Sequence, residues 1–179
     1  MKTINLIAMG QFTLDDISPF LSWLSAVPPI ERSAVKMKQK PPVGSGKLTP
    51  LLRVLEQFGF IQKKQECFSI TTAGEDFLRM NVFERKATIR AILLNEDEVK
   101  RVVRLLNESK TGRLPKHLAN FEATSETEMI AFLVWAQSCE LFGYDKKKRE
   151  IFRFDRGNPK GPVEVLNQLA TSPTLAKAA

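Results

Sequence analysis

Residues 56–70 read EQFGFIQKKQECFSI and residues 140–154 read ELFGYDKKKREIFRF; laid over one another without gaps, seven of the fifteen positions are identical. The identities pair Glu56 with Glu140, Phe58 with Phe142, Gly59 with Gly143, Lys63 with Lys147, Lys64 with Lys148, Glu66 with Glu150 and Phe68 with Phe152, at a constant offset of 84. Similarity at a fixed offset marks a duplicated supersecondary unit. Each copy reads as a helix that stops at a glycine and feeds a short hairpin with a lysine-rich tip.

In the first copy Leu51, Leu52, Val54, Leu55 and Phe58 recur at helical spacing. Thr49 is the expected N-cap and Pro50 the first helical residue, a position where a missing N–H costs nothing. Gly59 supplies the left-handed backbone that ends a helix. Phe60-Ile61-Gln62 and Phe68-Ser69-Ile70 are then strands on either side of the polar tip Lys63-Lys64-Gln65-Glu66. In the second copy Ser125 and Glu128 have capping-box spacing ahead of Met129, Ile130, Phe132, Leu133, Trp135, Ala136, Cys139 and Leu141. Gly143 is the expected stop, and Lys146-Lys147-Lys148-Arg149 the tip.

Further helices are expected upstream of each hairpin. Thr13 caps an apolar helix through Ile17, Phe20, Leu21 and Leu24 that ends at Pro28-Pro29, and residues 30–40 form a second helix. In the other copy residues 96–107 carry Val99, Val102, Val103 and Leu106 on one face, and residues 114–121 form a short helix after the Thr111-Gly112 turn. Residues 72–94 read as one long amphipathic helix with Phe77, Leu78, Phe83, Ile89, Ile92 and Leu93 available for burial. The predicted fold is mainly α with small β-hairpin wings: tandem winged-helix modules joined by a long helix. The first module spans residues 1–71, the connecting helix 72–94, the second module 95–155 and a mobile tail 156–179.

With 179 residues and 43% apolar composition, the chain can bury one sizeable core or two small ones. Cys67 and Cys139 sit among apolar residues and read as buried free thiols. No apolar run is long enough to cross a bilayer, and Met1 to Ile7 is too short and mixed for a signal peptide, so the expected compartment is the cytoplasm. A formal charge of +7 and a pI near 9.5 permit an acidic partner or nucleic acid without requiring either.

Several chemistries fail on the residues themselves. Gly44-Ser45-Gly46-Lys47 lacks the phosphate-loop pattern, since Pro41 stands where its first glycine belongs and Leu48 where its Ser or Thr belongs. His117 is the only histidine and has no neighbouring thiol, so no zinc site is expected. No nucleophile has a base at recognisable spacing. The expectation is a non-catalytic protein without cofactor or metal. What remains are basic clusters: Arg32, Lys36, Lys38 and Lys40 on the second helix, Lys47 and Arg53 beside the helix before the first hairpin, Lys63 and Lys64 in that hairpin, and Lys146, Lys147, Lys148 and Arg149 in the other. Such cations serve as phosphate contacts in helix-turn-helix proteins and equally as an ordinary solvated surface. The helix from Pro50 to Phe58 offers only Arg53 and Gln57 to read base edges.

Phe83-Glu84-Arg85-Lys86 and the stretch Trp135-Ala136-Gln137-Ser138-Cys139-Glu140-Leu141-Phe142-Gly143-Tyr144-Asp145 resemble the AAA-associated C-terminal domain, with Phe58-Gly59-Phe60 and Ile70-Thr71-Thr72-Ala73-Gly74-Glu75 extending the likeness backward. In that family the domain follows the ATP-binding subunit of some nitrate, sulfonate and bicarbonate ABC transporters. The likeness spans roughly residues 46–155, with no nucleotide-binding loop anywhere in the sequence. It implies an accessory or regulatory module that acts through protein contacts, with a transporter ATPase or another complex subunit as partner, and it carries over no catalytic residue. The alternative is a winged-helix DNA-binding regulator that uses the Arg32 to Lys64 clusters.

Overall fold

The computed structural model describes residues 12–33, 46–119 and 126–154, together with Met9, Lys36, Met37, Val43 and Gly44. The chain is mainly helical with small antiparallel sheets. Helix α1, Leu14–Ala26, starts where the Asp16 carboxylate accepts the Thr13 backbone N–H at 2.7 Å. A 3-10 turn, Pro29–Arg32, follows, and Ser33 makes a single antiparallel bridge to Cys67. The single helix expected over residues 30–40 is thus broken at its start. Lys36 and Met37 are helical, and Lys38 and Lys40 lie outside the described residues.

Helix α2, Leu48–Gln57, starts two residues earlier than expected: Lys47 is the N-cap, and Thr49 and Pro50 are already inside the first turn, where the proline ring displaces no hydrogen bond. Strands β1, Ile61–Lys64, and β2, Cys67–Ile70, pair antiparallel in register Ile61 with Ile70 and Lys64 with Cys67. The expected long helix over 72–94 is two helices, α3, Thr72–Arg79, and α4, Val82–Leu93. Asn81 decides the break. Its side chain accepts from the Phe83 and Glu84 backbone N–H groups while Glu84 reaches back to the Asn81 N–H at 2.8 Å, a capping box that starts a new helix.

The second half runs α5, Asp97–Glu108, then β3, Arg113–Pro115, α6, Lys116–Ala119, α7, Glu126–Ser138, β4, Gly143–Asp145, and β5, Glu150–Phe152. The helix expected from Leu114 therefore begins with a strand. Leu114 pairs with Ile151 in a three-stranded antiparallel sheet of order β3-β5-β4, and both are buried. Ser125 lies outside the described residues, as does the 156–179 segment.

The unit does recur, but not in the register of its sequence identities. At the end of α2 the N–H groups of Phe58, Gly59 and Phe60 donate to the carbonyls of Val54, Glu56 and Leu55. At the end of α7 those of Cys139, Glu140 and Leu141 donate to Trp135, Gln137 and Ala136, each partner 81 residues on. Leu51, Leu52, Val54, Leu55, Phe58, Phe60 and Ile61 are all buried, and so is every residue 81 positions later. The tip that follows is two residues long in the first hairpin and four in the second. Beyond the tips the offset is 83: Cys67 takes the bridge from Ser33, and Glu150 the pairing from Pro115.

The expected equivalence of Gly59 and Gly143 is thereby corrected. Gly59, at φ 74°, ends α2, whereas α7 is ended by Glu140 at φ 57°. Gly143 opens strand β4, where a Cβ would stand 2.2 Å from the Phe152 ring. It is glycine for close approach, not for handedness.

One hydrophobic core runs through both halves. Trp135 of α7 meets Phe12 edge-on at 5.3 Å, and its indole N–H donates to the Phe12 carbonyl at 2.8 Å, across 123 residues of sequence.

Candidate partner-binding surface

Two of the cations singled out in the sequence, Arg32 and Lys47, have work inside the chain. The Arg32 guanidinium donates through Nε to the Val27 carbonyl at 2.8 Å and through Nη2 to Ser25 at 3.4 Å, satisfying carbonyls at the negative end of α1. Lys47 Nζ sits 3.0 and 3.1 Å from the two Asp16 carboxylate oxygens and ties the start of α2 to the start of α1. Burial alone would raise the Asp16 pKa. The Thr13 N–H and Lys47 outweigh it and hold the carboxyl below its ordinary value of 3.8.

Lys36 and Arg53 are exposed, and Lys63 lies 3.7 Å from Glu66 across the first tip. Lys64, Lys146, Lys147, Lys148 and Arg149 are exposed too, the last four grouped on the second tip. That tip is shaped by Asp145, whose Oδ1 accepts the Lys147 and Lys148 backbone N–H groups at 3.0 and 3.1 Å. The Lys148 N–H, opposed by a little burial and joined by the Lys147 N–H, keeps the Asp145 pKa below its usual value. On α2 the exposed stripe is Thr49, Arg53 and Glu56, so the one cation facing out shares its stripe with a carboxylate.

The charged residues of the other stretches are likewise spent on joints. Thr71 donates its hydroxyl to the Gly59 carbonyl at 2.6 Å and accepts the Gly74 N–H, locking α3 to the end of α2. Gly74 allows α3 to lie against that end, since a Cβ there would meet the Phe60 carbonyl oxygen at 2.2 Å. Arg85 donates to the carbonyls of Phe77 at 3.0 Å and Leu78 at 2.6 Å, with its guanidinium 5.7 Å from the Phe77 ring centre. Lys86 and Arg90 of α4 reach Glu140 at 3.9 and 3.7 Å. With Glu84 and Asp145, these residues account for the charged groups of residues 83–86 and 135–145, the two stretches that carried the resemblance.

A search of known protein families matches residues 36–145 to the C-terminal AAA-associated domain. The chain belongs to this family. The match covers the first hairpin, the α3–α4 pair and the chain onward through strand β4. Comparison with curated proteins and with solved structures finds no match in either.

Within the AAA-associated domain, side-chain roles separate cleanly around one residue. Phe83 stands next to Glu84, Arg85 and Lys86, all three engaged within the chain, yet it is 74% exposed, beside Val82 at 55%. Read as part of one helix over residues 72–94, Phe83 is available for burial; the structure instead leaves it in solvent. Its position four residues after the α3 terminus and in the first turn of α4 places it on the outer corner, whereas Ile89 and Leu93 turn inward. Cys139 is buried and its thiol is pushed up to about 12, burial dominating over the pull of Arg90 and Lys86, so it offers no nucleophile near neutral pH. Among the described residues there is no cluster of His, Cys, Asp or Glu able to hold a metal, and no helix long and apolar enough to cross a membrane.

Proposed function

We propose that this chain is a non-catalytic, cytoplasmic accessory module that acts by protein–protein contact, with an ATP-binding transporter subunit as its partner. In this reading the two halves are tandem winged-helix modules, residues 1–71 and 95–155, carried on the 72–94 segment. The order helix, strand, helix, helix, hairpin in the second half, with β3 pairing on β5, supports that architecture, as does its echo through Ser33 and Cys67 in the first.

The observation that carries the reading is the exposed pair Val82 and Phe83. A phenylalanine turned to solvent within a stretch whose charged residues are all committed internally fits a contact residue, because exposed aromatics are the usual anchors of protein interfaces. The test is recovery of the chain at its natural level from its own cells. The expected result is a discrete complex, heavier than the 20.2 kDa chain, that contains an ATP-binding subunit and is lost in Phe83→Glu. Recovery of the chain alone at monomer mass overturns the proposal.

The DNA-binding alternative retains support from the net charge of +7 and the exposed Arg53, Lys64 and Lys146 to Lys148. It is weakened by the internal engagement of Arg32 and Lys47. Titration against duplex DNA across a salt series separates the two, since phosphate neutralisation makes affinity fall steeply with salt; no binding at about 50 mM salt excludes it.

A further inference from the structure

Helix α7 ends at a residue in the left-handed region that is not glycine. L side chains avoid this backbone, and glutamate lacks the short side chain that lets Asn and Asp tolerate it. The chain's own first half shows the unstrained solution, Gly59, at the equivalent place. Strained residues persist where their surroundings hold them in place and where the strain serves something.

The surroundings of Glu140 are specific. Lys86 Nζ stands 3.9 Å from its Oε1 and Arg90 Nη1 3.7 Å from its Oε2. Arg90 Nη1 also donates at 3.5 Å to the Cys139 carbonyl, one residue back at the negative end of α7. Lys86 and Arg90 are four residues apart and so lie on one face of α4. All three side chains are only 20–32% exposed, which limits solvent screening. The first half has no counterpart, because Gly59 has no side chain and its carbonyl is held by Thr71 instead.

We propose that Glu140 is a positioning residue that clamps the end of α7 onto α4, so that the seat of the second half on the α3–α4 arm is an electrostatic joint which ionic strength loosens. The clamp is the reason a glutamate occupies a glycine position. It does not depend on the identity of any partner and stands or falls separately from the function proposed above.

The experiment is amide hydrogen exchange on the full chain, read at Glu140, Leu141 and the α4 amides, with circular dichroism confirming that each variant keeps its helix content. Glu140→Gly relieves the backbone strain but removes the carboxylate; Glu140→Gln removes the charge alone. Glu140→Gln is expected to exchange about fivefold faster or more at low salt, while in Glu140→Gly the relieved strain offsets the loss and the exchange no longer responds to salt. Wild type in about 1 M salt approaches Glu140→Gln, because the screening length falls to about 3 Å. The swap Lys86→Glu with Glu140→Lys recovers a large part of the protection, which a purely local role of Glu140 could not produce. Protection in Glu140→Gln equal to wild type at low salt overturns the proposal, and so does a loss that neither salt nor the swap affects.

Discussion

Two glycines that look alike in sequence, Gly59 and Gly143, do different physical work, and substitution separates them. At Gly59 an added Cβ meets nothing within 4 Å, so Gly59→Ala loses only the left-handed backbone preference, about 1–2 kcal/mol. At Gly143 the Cβ would stand 2.2 Å from the Phe152 ring, which packs edge-on to Phe154 and under Arg113. Gly143→Ala therefore forces the second sheet to shift, at a cost of about 1–3 kcal/mol from overpacking. Urea denaturation of both variants checks this, together with chemical-shift changes, which are expected around β5 for Gly143→Ala and confined to the α2 terminus for Gly59→Ala.

At the scale of elements, short polar contacts decide where helices begin. Asn81 breaks what hydrophobic spacing alone reads as one helix, because its carboxamide satisfies two N–H groups that a continuous helix would have bonded to carbonyls one turn back. Asn81→Ala is expected to lower stability by about 1 kcal/mol, measured by thermal or chemical denaturation. The start of α1 makes a pH-dependent prediction. Asp16 titrates below its ordinary value of 3.8 in the folded chain, so the stability it contributes is fully present above that value. It is lost as pH falls through the lower, folded-state pKa. The advantage of wild type over Asp16→Asn is thus largest at neutral pH and shrinks in acid below pH 3.8, which denaturation midpoints across a pH series would show. Neither the Asn81 box nor the Lys47 to Asp16 tie is visible in apolar periodicity, the signal that located the helices.

Across the whole molecule, the two halves share one core through a contact 123 residues apart in sequence. Phe12 precedes helix α1, yet its ring and carbonyl belong to Trp135 of the second half. The halves are accordingly expected to unfold in a single transition by circular dichroism and by tryptophan fluorescence. Phe12→Ala, which empties this junction, should cost about 3–5 kcal/mol and lower the shared midpoint. Two separate transitions in the wild-type chain would show instead that the halves fold independently.

Composition, helical spacing and the hairpin signatures determined by themselves that the chain is mainly helical with small hairpins, that a unit recurs, and that it resembles the AAA-associated domain. These are local properties, set by side-chain periodicity and turn residues within a few positions of one another. The true register of the repeat, 81 rather than 84, came only from the tertiary structure, because a helix can be stopped by a glutamate whose side chain meets cations of another helix. Which cations remain exposed was also decided there. Arg32, Lys47, Arg85, Lys86 and Arg90 are hydrophilic in sequence, yet they are committed once helix ends and carboxylates are brought within reach. Phe83 faces outward for the converse reason: the break at Asn81 turns the first residues of α4 to the corner, and no local pattern records which side of a corner a side chain will take.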